Sequence, residues 1–386
     1  MEPLVFLVAG EPSGDVLGGA LMAALRELTG GRIRFAGVGG PAMAEQGLES
    51  IFPMTDLSVM GLIEVLPSLR RILRRIDETV RAVRALRPAI VVTIDSQSFS
   101  CRVARKLAPA PCPIVQYVAP TVWAWKPWRA RHLARVVDRV LLLFPFEGPY
   151  WDAVGLDWVE VGHPAAAARV DEETRTAMRS RLLAGHEGPL LAVLPGSRRG
   201  VVARHLPIFR SAVERLGKDH PGLTVAIPTV PGLATFIAAE VAGWPVPVSV
   251  VEGGVAERLA VMAAADAALA TSGTVALELA AVATPHVIAY RANALTAMVV
   301  RRMVRIDTAS PVNLVAGRRV TPELLQEACT PTALAQALGT LMGDRQAIAT
   351  QKAAMHDVMA ALGRGGPPPS ARAADAVLEL IGPAKG

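Results

Sequence analysis

The sequence predicts an α/β protein of two doubly wound domains facing a cleft, and three observations carry that prediction. Short apolar runs of strand length alternate with segments whose apolar residues recur every three or four positions. The alternation occurs in two series, which restart after a polar, glycine-ended stretch at Asp171–Gly188. At 386 residues the chain is too long for one ordinary core, and with 52% hydrophobic residues it has the material for two. The expected division is residues 1–168, residues 169–350, and C-terminal helices at 351–386 that pack back on the first domain.

The first series opens with a strand at Leu4–Ala9, the loop Gly10-Glu11-Pro12-Ser13-Gly14-Asp15 and a helix from about Val16 to Leu28. The loop lacks the GxGxxG pattern of a dinucleotide site, and its polar trio Glu11, Ser13 and Asp15 suits either a helix cap or substrate contacts. A strand at Arg34–Val38 follows. The stretch Leu57–Arg87 changes character: Met60, Leu62, Ile63, Leu66 and Leu69 lead into a helix with Arg70, Arg71, Arg74, Arg75, Arg81 and Arg84 on one side and Ile72, Ile76, Val80 and Val83 on the other. Such a helix fits either an anionic membrane face or the outside of an α/β domain with a solvated arginine face. The strand Ala89–Ile94 delivers Asp95 at its carboxyl end, where α/β folds hold ligands. Pro113–Val118 runs into a loop holding Trp123, Trp125 and Trp128, half of the chain's tryptophans, among prolines and basic residues; it reads as a rim or substrate-facing loop. Strands at Val137–Phe144 and Val159–Val161 end the series, and His163 before Pro164 reads as a linker histidine rather than a base.

The second series is organised around Leu190–Arg199. An apolar strand, Leu190–Leu194, stops at Pro195-Gly196-Ser197-Arg198, and a helix with Val202, Leu206, Phe209, Val213 and Leu216 on one face follows. At such a junction the free amides and positive helix end favour a phosphate, and Arg198 adds a forked charged donor. Strands are expected at Thr224–Pro228, Val246–Val251, Ala267–Ala270 and Val287–Tyr290, with helices at 233–242 and 255–264 between them. The loop Ser272-Gly273-Thr274 lets backbone amides approach a phosphate, and Glu278, a helical turn beyond, can accept from two vicinal ribose hydroxyls. Together the two loops suit a nucleotide sugar. Leu295–Ile306 repeats the arginine-studded amphipathic theme, Asn313-Leu314 follows, and a last helix is expected at Ala371–Ile381.

Composition narrows the partners. The net charge of +6 is clustered on arginines and points to anionic surfaces or phosphate-bearing ligands. No run interleaves aromatic and basic residues in the manner of a nucleic-acid site, and no zinc-ligand spacing occurs. Cys101, Cys112 and Cys329 cannot form a disulfide framework, which suits a reducing compartment. The N-terminus carries an acid where an export signal needs basic residues, and no apolar run reaches the roughly 18 residues of a membrane span.

Taken together, the motifs resemble one family, the bacterial lipid-A-disaccharide synthases. The resemblance rests on Ala9 to Asp15, Gly37 to Pro41, Val59-Met60-Gly61, Val118 to Trp125, Leu143 to Glu147, Val161 to Pro164, Leu194 to Arg198, Ser272-Gly273-Thr274 with Glu278, and Asn313-Leu314. It implies an inverting, metal-independent glycosyltransferase of the GT-B type, with two Rossmann-like domains and no cofactor. The reaction would join UDP-2,3-diacylglucosamine to 2,3-diacylglucosamine 1-phosphate, giving the lipid A disaccharide 1-phosphate and UDP. Carried residue by residue, Gly196, Ser197, Arg198, Ser272, Gly273, Thr274, Glu278 and Asn313 would bind the UDP-sugar, and Asp95 and Glu11 would be catalytic. Ser13, Asp15, the segment from Met60 to Arg74, Trp123 and Trp125 would meet the acceptor, its acyl chains or the membrane. The resemblance also implies a cytoplasmic location, peripheral on the inner face of the inner membrane, and allows an intertwined dimer. Two positions depart from the family's pattern. Ser98 stands where a second acid follows Asp95, and Val201 where an acid follows Gly-Ser-Arg. A serine at its normal pKa is no general base, so that role passes to Asp95, Glu11 or Asp15, or gives way to positioning. Two rivals stay open on sequence grounds: another nucleotide-sugar enzyme on the same scaffold, and a non-catalytic binder of lipid precursors.

Overall fold

A computed structural model of the chain describes residues 2–57, 65–292 and 308–382, the side chains at 65–69, 97 and 98 excepted. Met60, Leu62, Ile63 and the segment 295–306 therefore lie outside the described residues, as do the side chains of Leu66, Leu69 and Ser98. The chain divides into two units, Met1–Pro164 with Gly365–Gly386, and Ala165–Arg364.

The first unit runs β1 (Leu4–Ala9), α1 (Pro12–Thr29), β2 (Arg34–Val38), α2 (Pro41–Glu45), α3 (Val65–Leu86), β3 (Ile90–Ile94), α4 (Gln97–Leu107), β4 (Ile114–Tyr117), α5 (Trp128–Leu133), β5 (Arg139–Leu142), α6 (Gly148–Asp152) and β6 (Asp157–Glu160). Its six strands are all parallel, in the order β2-β1-β3-β4-β5-β6. Successive residues of a strand face opposite sides, and here both sides are covered, which is why β1 reads as an unbroken apolar run. Val5, Leu7 and Ala9 pack with Leu21 and Leu25 of α1; Phe6 and Val8 pack with Ile76, Val80 and Val83 of α3. Helix α1 begins at Pro12 rather than Val16, with Glu11 at its N-cap position. Proline lacks the N–H that a first helical turn leaves unpaired, so Pro12 starts the helix and draws Ser13, Gly14 and Asp15 into its first turn.

Helix α3 has the two faces the sequence implies. Arg70, Arg74, Arg81 and Arg84 are exposed on one stripe. Arg75 is instead bound inward: its guanidinium pairs with Asp56 (2.6 Å) and Glu78 (2.6 Å) and lies over the Phe52 ring at 4.7 Å. Arg71 donates to the Asp56 carbonyl at 3.2 Å, so these two arginines tie the helix to the turn at Met54–Leu57.

The second unit continues with α7 (Glu172–Leu183), β7 (Leu190–Leu194), α8 (Arg199–Asp219), β8 (Thr224–Thr229), α9 (Ala234–Val241), β9 (Val248–Glu252), α10 (Val255–Ala264), β10 (Ala267–Thr271), α11 (Val275–Ala281), β11 (His286–Tyr290), α12 (Pro311–Ala316), β12 (Glu323–Leu325), α13 (Pro331–Gly343) and α14 (Arg345–Ala361). Its parallel strands are ordered β12-β11-β10-β7-β8-β9. The polar stretch after Asp171 is no free bridge. Met178 and Leu182 of α7 pack against Leu190 and Val261, and Arg179 bonds Asp266 and the Ala264 carbonyl. The three-residue β12 is too short to have left a period in the sequence. Helix α15 (Pro369–Ile381) returns to the first unit, where it packs on α1 and where Arg139 of β5 donates to the Ala376 carbonyl and to Glu379.

Candidate active site

In each sheet the strand order reverses at one place, and open α/β sheets bind ligands at the carboxyl ends of the strands flanking that reversal. In the second unit the reversal falls between β7 and β10. The exit of β7 is the Pro-Gly-Ser-Arg turn and the exit of β10 is the Ser-Gly-Thr turn, so topology brings together two loops far apart in sequence. Between them lies a cavity of about 470 Å³, a volume typical of small-molecule sites. Gly196, Ser197, Arg198, Ser272, Gly273, Thr274 and Glu278 all line it, together with Val201, Pro228–Val230, Arg258, Met262 and Tyr290.

Local structure explains the shape of the two turns. Gly196 has φ +112° and Gly273 φ +154°, backbone that side-chain-bearing residues rarely adopt. Arg198 is the N-cap residue of α8, and no side chain caps that helix, so its leading amides keep donors for an anion. The Ser272 hydroxyl donates to the Ala309 carbonyl at 2.7 Å and thereby fixes the second turn. Behind the cavity His205 is buried, and its lowered pKa, a consequence of burial, keeps the ring neutral. Because its Nε2 accepts from the Arg291 amide at 3.0 Å, its proton sits on Nδ1 and is donated to the Val201 carbonyl at 2.8 Å. This one ring joins the start of α8 to the exit of β11 and tilts against Tyr290, 5.4 Å between centroids. Glu278 is pushed above the usual carboxylate range by burial, against which the Arg258 guanidinium, 3.8 Å away, works to hold it down.

In the first unit the reversal lies between β1 and β3, whose exits carry Glu11 and Asp95. Asp95 is half-buried, and its Oδ2 accepts from the Ser13 hydroxyl at 2.7 Å. Asp95 and Ser96 both adopt positive φ, +49° and +38°, a strained pair held by the Ser100 hydroxyl on the Asp95 carbonyl (2.9 Å) and by the Asp95 amide on the Tyr117 carbonyl (2.9 Å). Gly10 and Gly14 allow the close approach of β1 and α1 to this corner, since a Cβ on Gly10 would collide with the Ser96 side chain. The arrangement presents a carboxylate oriented by a hydroxyl donor, which is suited to accepting a proton.

Two residues expected to touch substrate are taken up elsewhere. Asp15 is buried and accepts from the amides of Gly40 (2.7 Å), Ala42 (2.9 Å) and Met43 (3.1 Å), so its carboxylate anchors the N-terminus of α2 and is not available to an acceptor sugar. Asn313 is also buried: its Oδ1 accepts from the amides of Val320 and Thr321, its Nδ2 donates to the Thr321 carbonyl, and it does not line the cavity. It closes the loop between α12 and β12. Trp123 and Trp125 of the β4 exit are half-buried, and Trp128 is exposed. Trp123 donates to Glu147 at 3.0 Å and Trp125 lies under Lys126 at 4.3 Å. Arg258 and His205 belong to no motif, and sequence reasoning missed them; Glu147 stands at the end of the Leu143–Glu147 motif, but nothing in that motif announced a buried carboxyl. Among the described residues no group of three or more His, Cys, Asp or Glu is placed to hold a metal ion, and no helix is long and apolar enough to cross a membrane.

Two Rossmann-like units, each with polar groups gathered at the reversal of its sheet, define a protein of the GT-B fold. Solved structures agree: S. aureus MnaA in a co-structure with UDP superposes with a TM-score of 0.63 at 13% identity, covering 97% of this chain and 95% of that one. Acinetobacter baumannii MurG gives 0.58 at 13%, covering 98% and 99%. At these identities the likeness is one of fold alone. Sequence is specific where fold is general. The model of the family "lipid-A-disaccharide synthetase" matches residues 5–374. The lipid-A-disaccharide synthases of Rhodospirillum centenum and Ruegeria pomeroyi are 48% and 51% identical, over 99% and 98% of this chain and 96% and 95% of theirs. The chain belongs to the lipid-A-disaccharide synthase family. It is a glycosyltransferase that carries out the condensation step of lipid A biosynthesis, and neither rival is favoured.

Proposed function

We propose that the cavity of the second unit holds the UDP of the donor and that Asp95 deprotonates the acceptor. Arg198, the leading amides of α8 and the Ser272-Gly273-Thr274 turn take the diphosphate, whose charge grows as the glycosidic bond to it breaks. Glu278 accepts from the ribose hydroxyls. Asp95, oriented by Ser13, draws the proton from the acceptor's 6-hydroxyl as that oxygen attacks the anomeric carbon from the side opposite the leaving UDP; Glu11 at the neighbouring strand exit is the second candidate base. The observation that carries this reading is the meeting of the 196–198 and 272–274 turns and Glu278 around one cavity. With the Arg198 guanidinium and uncapped amides, that cavity has the means to stabilise a leaving diphosphate without a metal.

Both substrates carry acyl chains, which favours a membrane role for the arginine stripe of α3. Arg70, Arg74, Arg81 and Arg84 meet anionic lipid on the cytoplasmic side of the inner membrane, while the apolar segment before α3, with Trp123 and Trp125, receives the chains. A homodimer is compatible with this arrangement. The deciding experiment pairs turnover with UDP binding in Asp95→Asn, Glu11→Gln and Arg198→Ala. Asp95→Asn is expected to lose turnover and keep UDP binding, and Arg198→Ala to lose UDP binding; full turnover in Asp95→Asn would transfer the base role to Glu11. Charge reversal at Arg70, Arg74 and Arg81 is expected to abolish co-sedimentation with anionic vesicles, and unchanged co-sedimentation would remove α3 from the membrane.

A further inference from the structure

The carboxylate proposed to take the ribose faces a cation that no motif announces. Arg258 lies on α10 and Glu278 in α11, and these two helices pack together. The guanidinium Nη2 stands 3.8 Å from Glu278 Oε1, with the side chains 20% and 28% exposed, and both residues line the cavity. At 3.8 Å the contact is one of charge rather than a hydrogen bond. It leaves Glu278 Oε1 and Oε2 with lone pairs to offer a ligand. A buried carboxyl without such a partner drifts toward its protonated form, which donates one hydrogen bond and loses much of its capacity to accept.

Other ionisable groups are poorly placed for this task. Tyr290 at the end of β11 and Arg198 at the N-cap of α8 share the cavity, but Arg258 is the charge acting on Glu278. Glu257, its neighbour on α10, pairs with Arg181. His286 of β11 is buried and neutral, and the charged residues of α14 behind α11, namely Arg345, Lys352, His356 and Asp357, do not line the cavity.

We propose that Arg258 is a positioning residue of the donor site, holding Glu278 in its anionic form so that both oxygens accept from the vicinal hydroxyls of the nucleoside, without itself bonding the diphosphate. The proposal rests on the cavity being the UDP site. Arg258 thus acts on the sugar of the nucleoside, and its influence disappears when those hydroxyls are absent.

Calorimetric titration of the full chain with UDP and with 2′,3′-dideoxy-UDP, from pH 6 to pH 8.5, tests it. Wild type is expected to bind UDP with little dependence on pH. Arg258→Gln is expected to weaken UDP about tenfold at pH 6, as one unit of carboxyl protonation would, and less at pH 8.5. Arg258→Lys, which keeps the charge, restores most of the affinity. Dideoxy-UDP binds wild type and Arg258→Gln alike, and in a Glu278→Gln background Arg258→Gln changes nothing further. Equal losses for UDP and dideoxy-UDP at every pH would overturn the proposal, because Arg258 would then be touching phosphate. Absence of UDP binding to the wild-type chain would overturn the donor-site reading, and the proposal with it.

Discussion

Glu147 makes the fold's stability depend on pH in a direction opposite to that of most carboxylates. It ends the short turn Pro145–Glu147 and is 3% exposed. Oε1 accepts from the Trp123 indole at 3.0 Å and Oε2 from the Phe144 amide at 3.2 Å. The surroundings are aromatic: Trp123 meets Phe146 edge-on at 5.2 Å, and Phe146 stacks on Phe144 at 5.3 Å. Burial outweighs the hydrogen bonds and pushes the carboxyl from 4.5 up to about 7. Between those values the folded chain keeps a proton that the unfolded chain has lost, so the contribution of Glu147 to stability is greatest below pH 4.5 and is lost as pH rises through 7. Integrated from pH 5 to pH 8, this one group removes about 2–3 kcal/mol. Glutamine keeps the shape and offers one good acceptor oxygen, as the protonated acid does. Glu147→Gln is therefore expected to match wild type at pH 5 and to exceed it by about 2–3 kcal/mol at pH 8. Urea unfolding followed by far-UV circular dichroism at pH 5, 6, 7 and 8 measures the difference directly. A difference of constant size across that range would refute the reasoning, since the carboxylate would then be as well accommodated in the fold as in water.

Arg198→Ala removes a charged donor from the proposed diphosphate clamp and is expected to weaken UDP by about 1.5–3 kcal/mol, read by calorimetry, with thermal stability unchanged because the side chain is exposed. Gly196→Ala forces a side chain onto φ +112° with its Cβ 3.0 Å from Val201 Cγ1; a loss of about 1–3 kcal/mol in stability and weakened UDP binding are expected from chemical unfolding and titration. His286 is fully buried and pushed down to about 4, so it contributes stability above pH 6.5 that is lost as pH falls toward 4. Acid unfolding of wild type should carry about 3 kcal/mol from this group by pH 4, absent from His286→Gln. Gly37→Ala drives a Cβ into the Leu7 carbonyl on the neighbouring strand, and loss of the folded state is expected in circular dichroism.

Much of the scaffold was legible because its signals are local. Leu190–Leu194 and Leu4–Ala9 are apolar without interruption, as a strand covered on both faces must be, and each ends in a turn that the residues themselves specify. The Gly-Ser-Arg and Ser-Gly-Thr loops were singled out by their own composition, and the structure brings both to the lining of one cavity. Helix starts were less legible: Pro12 opens α1 four residues before the apolar period becomes visible.

The partners of side chains remote in sequence were beyond a local signal. Asp15 and Asn313 look like ligand contacts in a motif, yet each is used up by backbone amides, one on α2 and the other on the strand-bound loop at 320–321. Arg258 meets Glu278, and His205 meets Arg291, only because strand order sets β7 beside β10 and β11 beyond it. By itself the sequence determined which segments become strands and helices and which turns are suited to a nucleotide, since hydrophobic period and turn chemistry act over a few residues. Tertiary structure decided which polar groups remain free to act, because hydrogen-bond partners and burial are set by the packing of segments that the chain separates.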